Sequence, residues 1–191
     1  LSVLTEPEFF SGSLDDLAKA RQATTLPVLR KDFVVDPYQI AEARAGGADA
    51  VLLIVAAIPD PVLFAELADA AAHYNLSALV EVHSEWELDG AFEIAPELVG
   101  VNQRDLRTFD VDEGLAIRLR RRIPADVATV AESGIADRAG VAALEEAGVE
   151  AMLVGETLMR AGDPAGAARE LLGLSVPQGD PDLAGEEEER D

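Results

Sequence analysis

Short, unbroken runs of Val, Leu and Ile recur along this chain about every 25 residues, and helix-forming sequence fills the gaps between them. The runs cover residues 2–5, 27–31, 50–55, 78–82, 98–102, 128–132 and 151–154. Most lack the apolar–polar alternation of a strand with one wet face. They read instead as strands buried on both faces, the habit of parallel sheets covered by helices. The gaps open with helix-start chemistry. Ser13-Leu14-Asp15-Asp16 places a capping hydroxyl before early carboxylates, and Asp36-Pro37 and Asp60-Pro61 each set a cap before proline in the first helical position. Further helical patterns cover residues 62–74, 85–92, 112–122, 137–147 and 164–172.

A strictly repeated βα unit admits two architectures, the doubly wound open sheet and the (β/α)8 barrel. A dinucleotide-type open sheet wants a glycine-rich turn after its first strand. Here Glu6-Pro7-Glu8-Phe9-Phe10-Ser11-Gly12-Ser13 stands in that place, with no GxGxxG. A barrel instead gathers polar residues at the C-terminal ends of its strands, with a phosphate site after the last two. The chain shows both features, but offers seven strands where a barrel has eight. Residues 1–174 are expected to form one α/β barrel domain. Residues 175–191, strongly acidic from Gly179 onward, are expected to be a disordered tail.

Composition narrows the function. With 37 acidic residues against 15 basic, the net charge is −22, which argues against nucleic acid and anionic membranes as partners. There is no cysteine, no apolar run long enough to span a bilayer, and no visible signal peptide, so a cytoplasmic protein is expected. Alanine abundance and the near absence of lysine read as adaptation to a saline cytoplasm, where salt screens self-repulsion. The plain alternative is an ordinary acidic protein. The two histidines, His73 and His83, have no ligand spacing, and no metal is expected.

Only two lysines occur, Lys19 and Lys31. Lys31 ends an apolar run directly after Arg30, where arginine was evidently acceptable. Lysine differs from arginine in being able to shift its pKa and release a proton. Other strand ends carry Glu81 in Leu79-Val80-Glu81-Val82-His83, Asn102 in Gly100-Val101-Asn102-Gln103-Arg104, and Glu132 in Val130-Ala131-Glu132-Ser133-Gly134. Singly, each has a structural reading as a strand cap, an edge residue or a turn former. Together, at one end of successive strands, they predict a cavity where lysine and carboxylates divide acid and base roles. Ser133-Gly134 and Gly155-Glu156, each followed by helical sequence on the last two strands, predict a phosphate site. Glu156 is expected to turn its carboxylate away. Phe10, Phe33 and Leu52 are candidates for an apolar wall around an aromatic substrate, with core packing as the alternative.

Seven segments in order closely resemble the indole-3-glycerol-phosphate synthase family. They are Ser2-Val3-Leu4-Thr5-Glu6-Pro7, Leu29-Arg30-Lys31-Asp32-Phe33, Val51-Leu52-Leu53-Ile54-Val55, Val80-Glu81-Val82-His83, Gly100-Val101-Asn102-Gln103-Arg104-Asp105-Leu106, Ala131-Glu132-Ser133-Gly134-Ile135 and Val154-Gly155-Glu156-Thr157-Leu158-Met159. The resemblance implies a (β/α)8 barrel carboxy-lyase of tryptophan biosynthesis, working without metal or organic cofactor. It would close the ring of 1-(2-carboxyphenylamino)-1-deoxyribulose 5-phosphate with loss of CO2 and water.

By resemblance, Lys31 protonates the substrate ketone oxygen, Glu81 transfers a proton in dehydration, and Asn102 orients both. Arg104, Glu132 and Ser133 contact substrate beside the wall of Phe10, Phe33 and Leu52. Ser133, Gly134, Gly155 and Glu156 hold the phosphate. The family's first strand, with a glutamate, a second lysine and a Ser-Pro-Ser loop, and its N-terminal helical extension have no counterpart in these 191 residues. The sequence therefore reads as strands two to eight, N-terminally truncated, and as a monomer or weak homo-oligomer. The rival readings are another phosphate-binding barrel, such as phosphoribosylanthranilate isomerase, and an inactive fragment that binds a ligand or partner. The isomerase rival is weakened by the absence of cysteine.

Overall fold

The computed structural model describes residues 1–175; the expected acidic tail lies almost wholly outside them. Among the described residues seven strands form one sheet in chain order: β1 (Ser2–Leu4), β2 (Leu29–Lys31), β3 (Ala50–Ile54), β4 (Ser77–Val82), β5 (Leu98–Asn102), β6 (Ala128–Glu132) and β7 (Ala151–Leu153). Every neighbouring pair is parallel. The helices are α1 (Pro7–Phe10), α2 (Leu14–Ala23), α3 (Pro37–Ala45), α4 (Pro61–His73), α5 (Glu85–Ala91), α6 (Leu115–Arg120), α7 (Arg138–Glu146), α8 (Glu156–Arg160) and α9 (Pro164–Leu171). Among the described residues no helix is long and apolar enough to cross a membrane.

The capping chemistry read from the sequence is in place. Ser13, Asp36, Asp60, Ser84, Asp137 and Asp163 each accept a backbone N–H in the first turn of the helix that follows, satisfying donors that the helix itself cannot pair. At α3 this becomes a full capping box, with Gln39 reaching back to the Asp36 backbone.

Strand periodicity divides the apolar residues into two layers. Val51, Leu53, Val80, Val82, Val99, Val101 and Ala131 face outward. They pack with Ile40, Leu67, Leu88, Leu119 and Leu144 from the helices. Leu29, Leu52, Ile54, Leu79 and Val130 face inward and form a smaller second cluster, with Phe33, Leu98 and Leu153 against it. An inner cluster drawn from β2 to β7 requires the sheet to curl. So does the 2.8 Å contact between Lys31 on β2 and Glu132 on β6; in a flat sheet strands four places apart would lie about 19 Å away. The result is a barrel wall of seven strands, with β1 and β7 at its two edges.

Candidate active site

The inward-facing positions at the C-terminal ends of β2, β4 and β6 hold Lys31, Glu81 and Glu132. Lys31 Nζ donates 2.8 Å hydrogen bonds to Glu81 Oε2 and Glu132 Oε2 alike. Both carboxylates are 2% exposed, and the lysine is 24% exposed at the mouth. Asn102, at the end of β5, donates from Nδ2 to Glu81 Oε1 at 3.1 Å. Its Oδ1 accepts the Ser133 hydroxyl at 2.8 Å and the Arg104 backbone N–H at 3.1 Å. The four strand-end residues singled out from the sequence are thus one connected network.

Environment sets the charges apart. Burial raises the Glu132 carboxyl, the adjacent Glu81 anion raises it further, and Lys31 opposes both; the balance lies at about 7. Burial also penalises the Glu81 anion, but His83 first, then Lys31 and Asn102, outweigh it and hold this carboxyl at about 2. For Lys31, burial disfavours the cation, yet Glu132 and Glu81 more than compensate and its pKa is raised. The expectation of a lysine made ready to lose its proton therefore meets the opposite arrangement. Two carboxylates keep Lys31 charged.

Two residues not singled out for this site belong to it. His83 lies just past the end of β4, two residues after Glu81, with its ring beside that carboxylate. His83 Nε2 lies 3.1 Å from Glu81 Oε1, within ion-pair range though off the line of a well-aimed hydrogen bond. Its Nδ1 is 3.1 Å from Glu87 Oε2. Between two carboxylates the imidazole is held protonated: burial works against the charge, but Glu81 and Glu87 raise its pKa to about 9. The available signal is its place two residues after a carboxylate inside an apolar run. Gln103, 3% exposed, donates to the Ser133 carbonyl at 2.9 Å and so fixes the next loop.

In that loop Ser133 and Gly134 both take the left-handed conformation, with φ of 63° and 70°. Glycine accepts this freely; serine does so under the restraint of Gln103 and Asn102. Above Gly155 the space is open. Glu156 does not leave its charge bare: its carboxylate is 3.1 Å from Arg104 and 2.8 Å from Arg160. Phe10 stacks on Phe33 with centroids 6.3 Å apart, and Phe9 meets the same ring edge-on at 6.4 Å. Phe10 is half exposed, whereas Leu52 is buried in the inner cluster beneath. Phe10 and Phe33 thus stack together, and Phe33 packs against the inner cluster that contains Leu52.

Fold and cluster together define a β/α-barrel protein with a buried lysine–carboxylate cluster at the C-terminal ends of its strands. The model of the family described as Indole-3-glycerol phosphate synthase matches residues 1–171. This chain belongs to the indole-3-glycerol phosphate synthase family. It is 55% identical over 173 residues to Indole-3-glycerol phosphate synthase 2 of Streptomyces coelicolor, covering 91% of this chain and 67% of the relative. With the indole-3-glycerol phosphate synthase of Mycolicibacterium vanbaalenii it shares 49% identity over 172 residues, covering 90% and 63%. The chain thus spans about two thirds of the length of these curated relatives. Among solved structures, a 3-hexulose-6-phosphate synthase superposes with a TM-score of 0.74 at 19% identity, covering 91% of this chain and 87% of the other. A second, from Salmonella typhimurium, gives 0.73 at 15% identity, covering 89% and 83%. At these identities the likeness concerns the fold alone.

Proposed function

We propose that this chain carries the acid–base centre of an indole-3-glycerol phosphate synthase, a carboxy-lyase that converts 1-(2-carboxyphenylamino)-1-deoxyribulose 5-phosphate to indole-3-glycerol phosphate, CO2 and water. The observation that carries the reading is the pair of 2.8 Å contacts from one lysine to two buried carboxylates in different charge states. Ring closure puts negative charge on the substrate ketone oxygen as the new carbon–carbon bond forms. The Lys31 ammonium is the acid that meets it. CO2 leaves with its bonding electrons returned to the ring. Dehydration then needs a base to take a proton and an acid to help hydroxide leave as water. Glu81 is the anion suited to the first task, and Lys31 or Glu132, bearing protons, to the second. Asn102 holds Glu81 in place.

The remaining site residues take supporting roles in this reading. The surface of Phe10, Phe33 and Leu52 receives the aromatic ring. Arg104, whose guanidinium rests on Glu156, turns it to the substrate carboxylate. The backbone at Ser133-Gly134 and Gly155-Glu156 receives the phosphate, supported by the left-handed turn and the open space at Gly155. The family's further glutamate, lysine and Ser-Pro-Ser come from a strand that these 191 residues do not contain.

The test is ring closure followed by indole fluorescence, for the 191-residue chain and for a version extended upstream by that strand. Activity in the extended version is expected to fall by about 100-fold or more in both Lys31→Ala and Lys31→Arg. Arginine keeps the charge but does not readily release a proton, so near-normal turnover in Lys31→Arg would refute the acid role. Binding of substrate without turnover by every version would favour a ligand-binding fragment instead.

A further inference from the structure

The two buried carboxylates begin on equal terms. Each is 2% exposed, and each receives Lys31 Nζ at 2.8 Å. Lysine alone therefore cannot decide which of them keeps a proton. Their remaining oxygens differ. Among the described residues Glu132 Oε1 is buried with no hydrogen-bond partner. Glu81 Oε1 faces Asn102 Nδ2 and the His83 ring, both at 3.1 Å. Asn102 supplies a neutral donor; His83 supplies the one cationic ring that touches a single member of the pair.

We propose that His83 is a positioning residue that divides the labour between the two carboxylates: bridging Glu81 and Glu87, it fixes Glu81 as the standing anion and leaves the exchangeable proton to Glu132. It does not reach the substrate; it acts through Glu81. The assignment of charges stands on the geometry, while its catalytic consequence rests on the proposed function above.

The bridge is built to hold. Glu87 lies in the first turn of α5 and accepts the His83 backbone N–H at 2.8 Å as well as facing the ring at 3.1 Å. Ser84, between them in sequence, caps the same helix. The ring is thus gripped at backbone and side chain, and is 8% exposed. The charged groups facing it are Glu81 at the end of β4, Glu87 on α5 and, at longer range, Asp105 in the loop after β5. Lys31 and Glu132 reach it through Glu81. All of its near neighbours are acidic, so the imidazolium is favoured over neutral imidazole. His83 joins Lys31 and Asn102 in lowering the Glu81 pKa against the cost of burial.

The test is a carboxyl titration of the 191-residue chain carrying 13C at the glutamate side-chain carboxyls, with Glu81→Gln and Glu132→Gln to assign the two signals. In the unsubstituted chain Glu132 should titrate near pH 7 while Glu81 remains ionised down to about pH 4. In His83→Gln, which keeps a neutral donor, Glu81 should take up its proton at higher pH and Glu132 at lower pH, as the two share Lys31 more evenly. Glu87→Gln should move both signals the same way by less, and serves equally should His83→Gln fail to fold. Unmoved titrations in either folded variant would overturn the proposal. In the active extended enzyme, kcat should fall roughly tenfold in His83→Gln, with KM within about threefold. The neutral-pH limb of its kcat profile should move with Glu132; an unmoved limb would also overturn it. Titrations that behave as expected in a protein with no turnover would sink the proposed function and leave the division of charge standing.

Discussion

Gly100 sits on β5 directly beside the acid–base centre, and what it lacks is as consequential as what its neighbours carry. A Cβ at this position would run into Glu132 Oε1 and press on Leu79 Cδ1 at 3.3 Å. Glu132 can lean toward Lys31 only because that volume is free. Gly100→Ala is therefore expected to swing the carboxylate off Lys31, with overpacking that costs about 1–3 kcal/mol. Urea midpoints would read the stability loss, and kcat should fall much further than the fold is weakened. An alanine variant with unchanged kcat would show that Glu132 has slack. The strand-end set of Lys31, Glu81, Asn102 and Glu132 was legible from the sequence because each breaks an apolar run at the same place in its unit. Gly100 was not, since a glycine in a strand announces a close approach without naming what approaches. Nor was the charge state of Lys31, which depends on partners 50 and 101 residues away.

At the scale of elements, Arg30 shows how the site's first strand is held. It faces outward from β2, 4% exposed, and its guanidinium ties α3 to the segments just after β1 and β2. It lies 2.9 Å from Asp32 and 2.9 Å from Glu42 on α3, donates to the Gln39 carbonyl at 2.8 Å, and donates to Thr5 Oγ1 beyond β1 at 3.1 Å. Arg30→Ala would leave Asp32 and Glu42 without their cation. A loss of about 3–5 kcal/mol is expected, measured by guanidinium-free urea unfolding. Arg30→Lys should recover only part, because an ammonium cannot match the fork of contacts; full recovery would mean that charge alone matters.

Most elements were legible, since caps and apolar periodicity agree on them. The misses are short. The one-turn α1 and the five-residue α8 are too brief to show a period. Residues 112–122 read as one helix, but α6 begins only at Leu115. Asp112 Oδ1 accepts from the Gly114 N–H and the Arg118 side chain, so the segment before α6 is spent on a turn. Arg104 and Val111 meet across the preceding loop in an isolated antiparallel bridge.

For the whole molecule the dominant fact is a net charge of −22 on 191 residues. Much of the visible arginine is already engaged with surface carboxylates, as in Arg118–Asp112, Arg122–Asp89 and Arg138–Glu145. Such exposed pairs contribute little individually. The unpaired excess of acid should repel across the surface, and raising KCl from 0.1 M to 1 M shortens its range from about 10 Å to about 3 Å. Thermal midpoints are therefore expected to rise with KCl. A gain of about 1 kcal/mol would appear as roughly 2–4 °C in a chain of this size. A flat or falling midpoint would remove the case for salt adaptation. The seven-stranded count was legible as a repeat, and the curl of the sheet was legible from the polar residues gathered at successive strand ends; the apolar pattern alone did not show it, because the strands' inward and outward residues are equally apolar, and contacts across the interior bear it out.

The three charged side chains at the mouth come from alternate strands, with Lys31 separated from Glu81 by 50 residues and from Glu132 by 101. No fragment of the chain shorter than five consecutive strands can contain all three. During folding each is therefore born among water and must give up its hydration only when remote segments arrive to neutralise it. Partial sheets keep these groups wet and gain nothing by burying them, so the last desolvation is conditional on correct long-range assembly. The centre that would carry the chemistry thus also makes the final step of folding all-or-none.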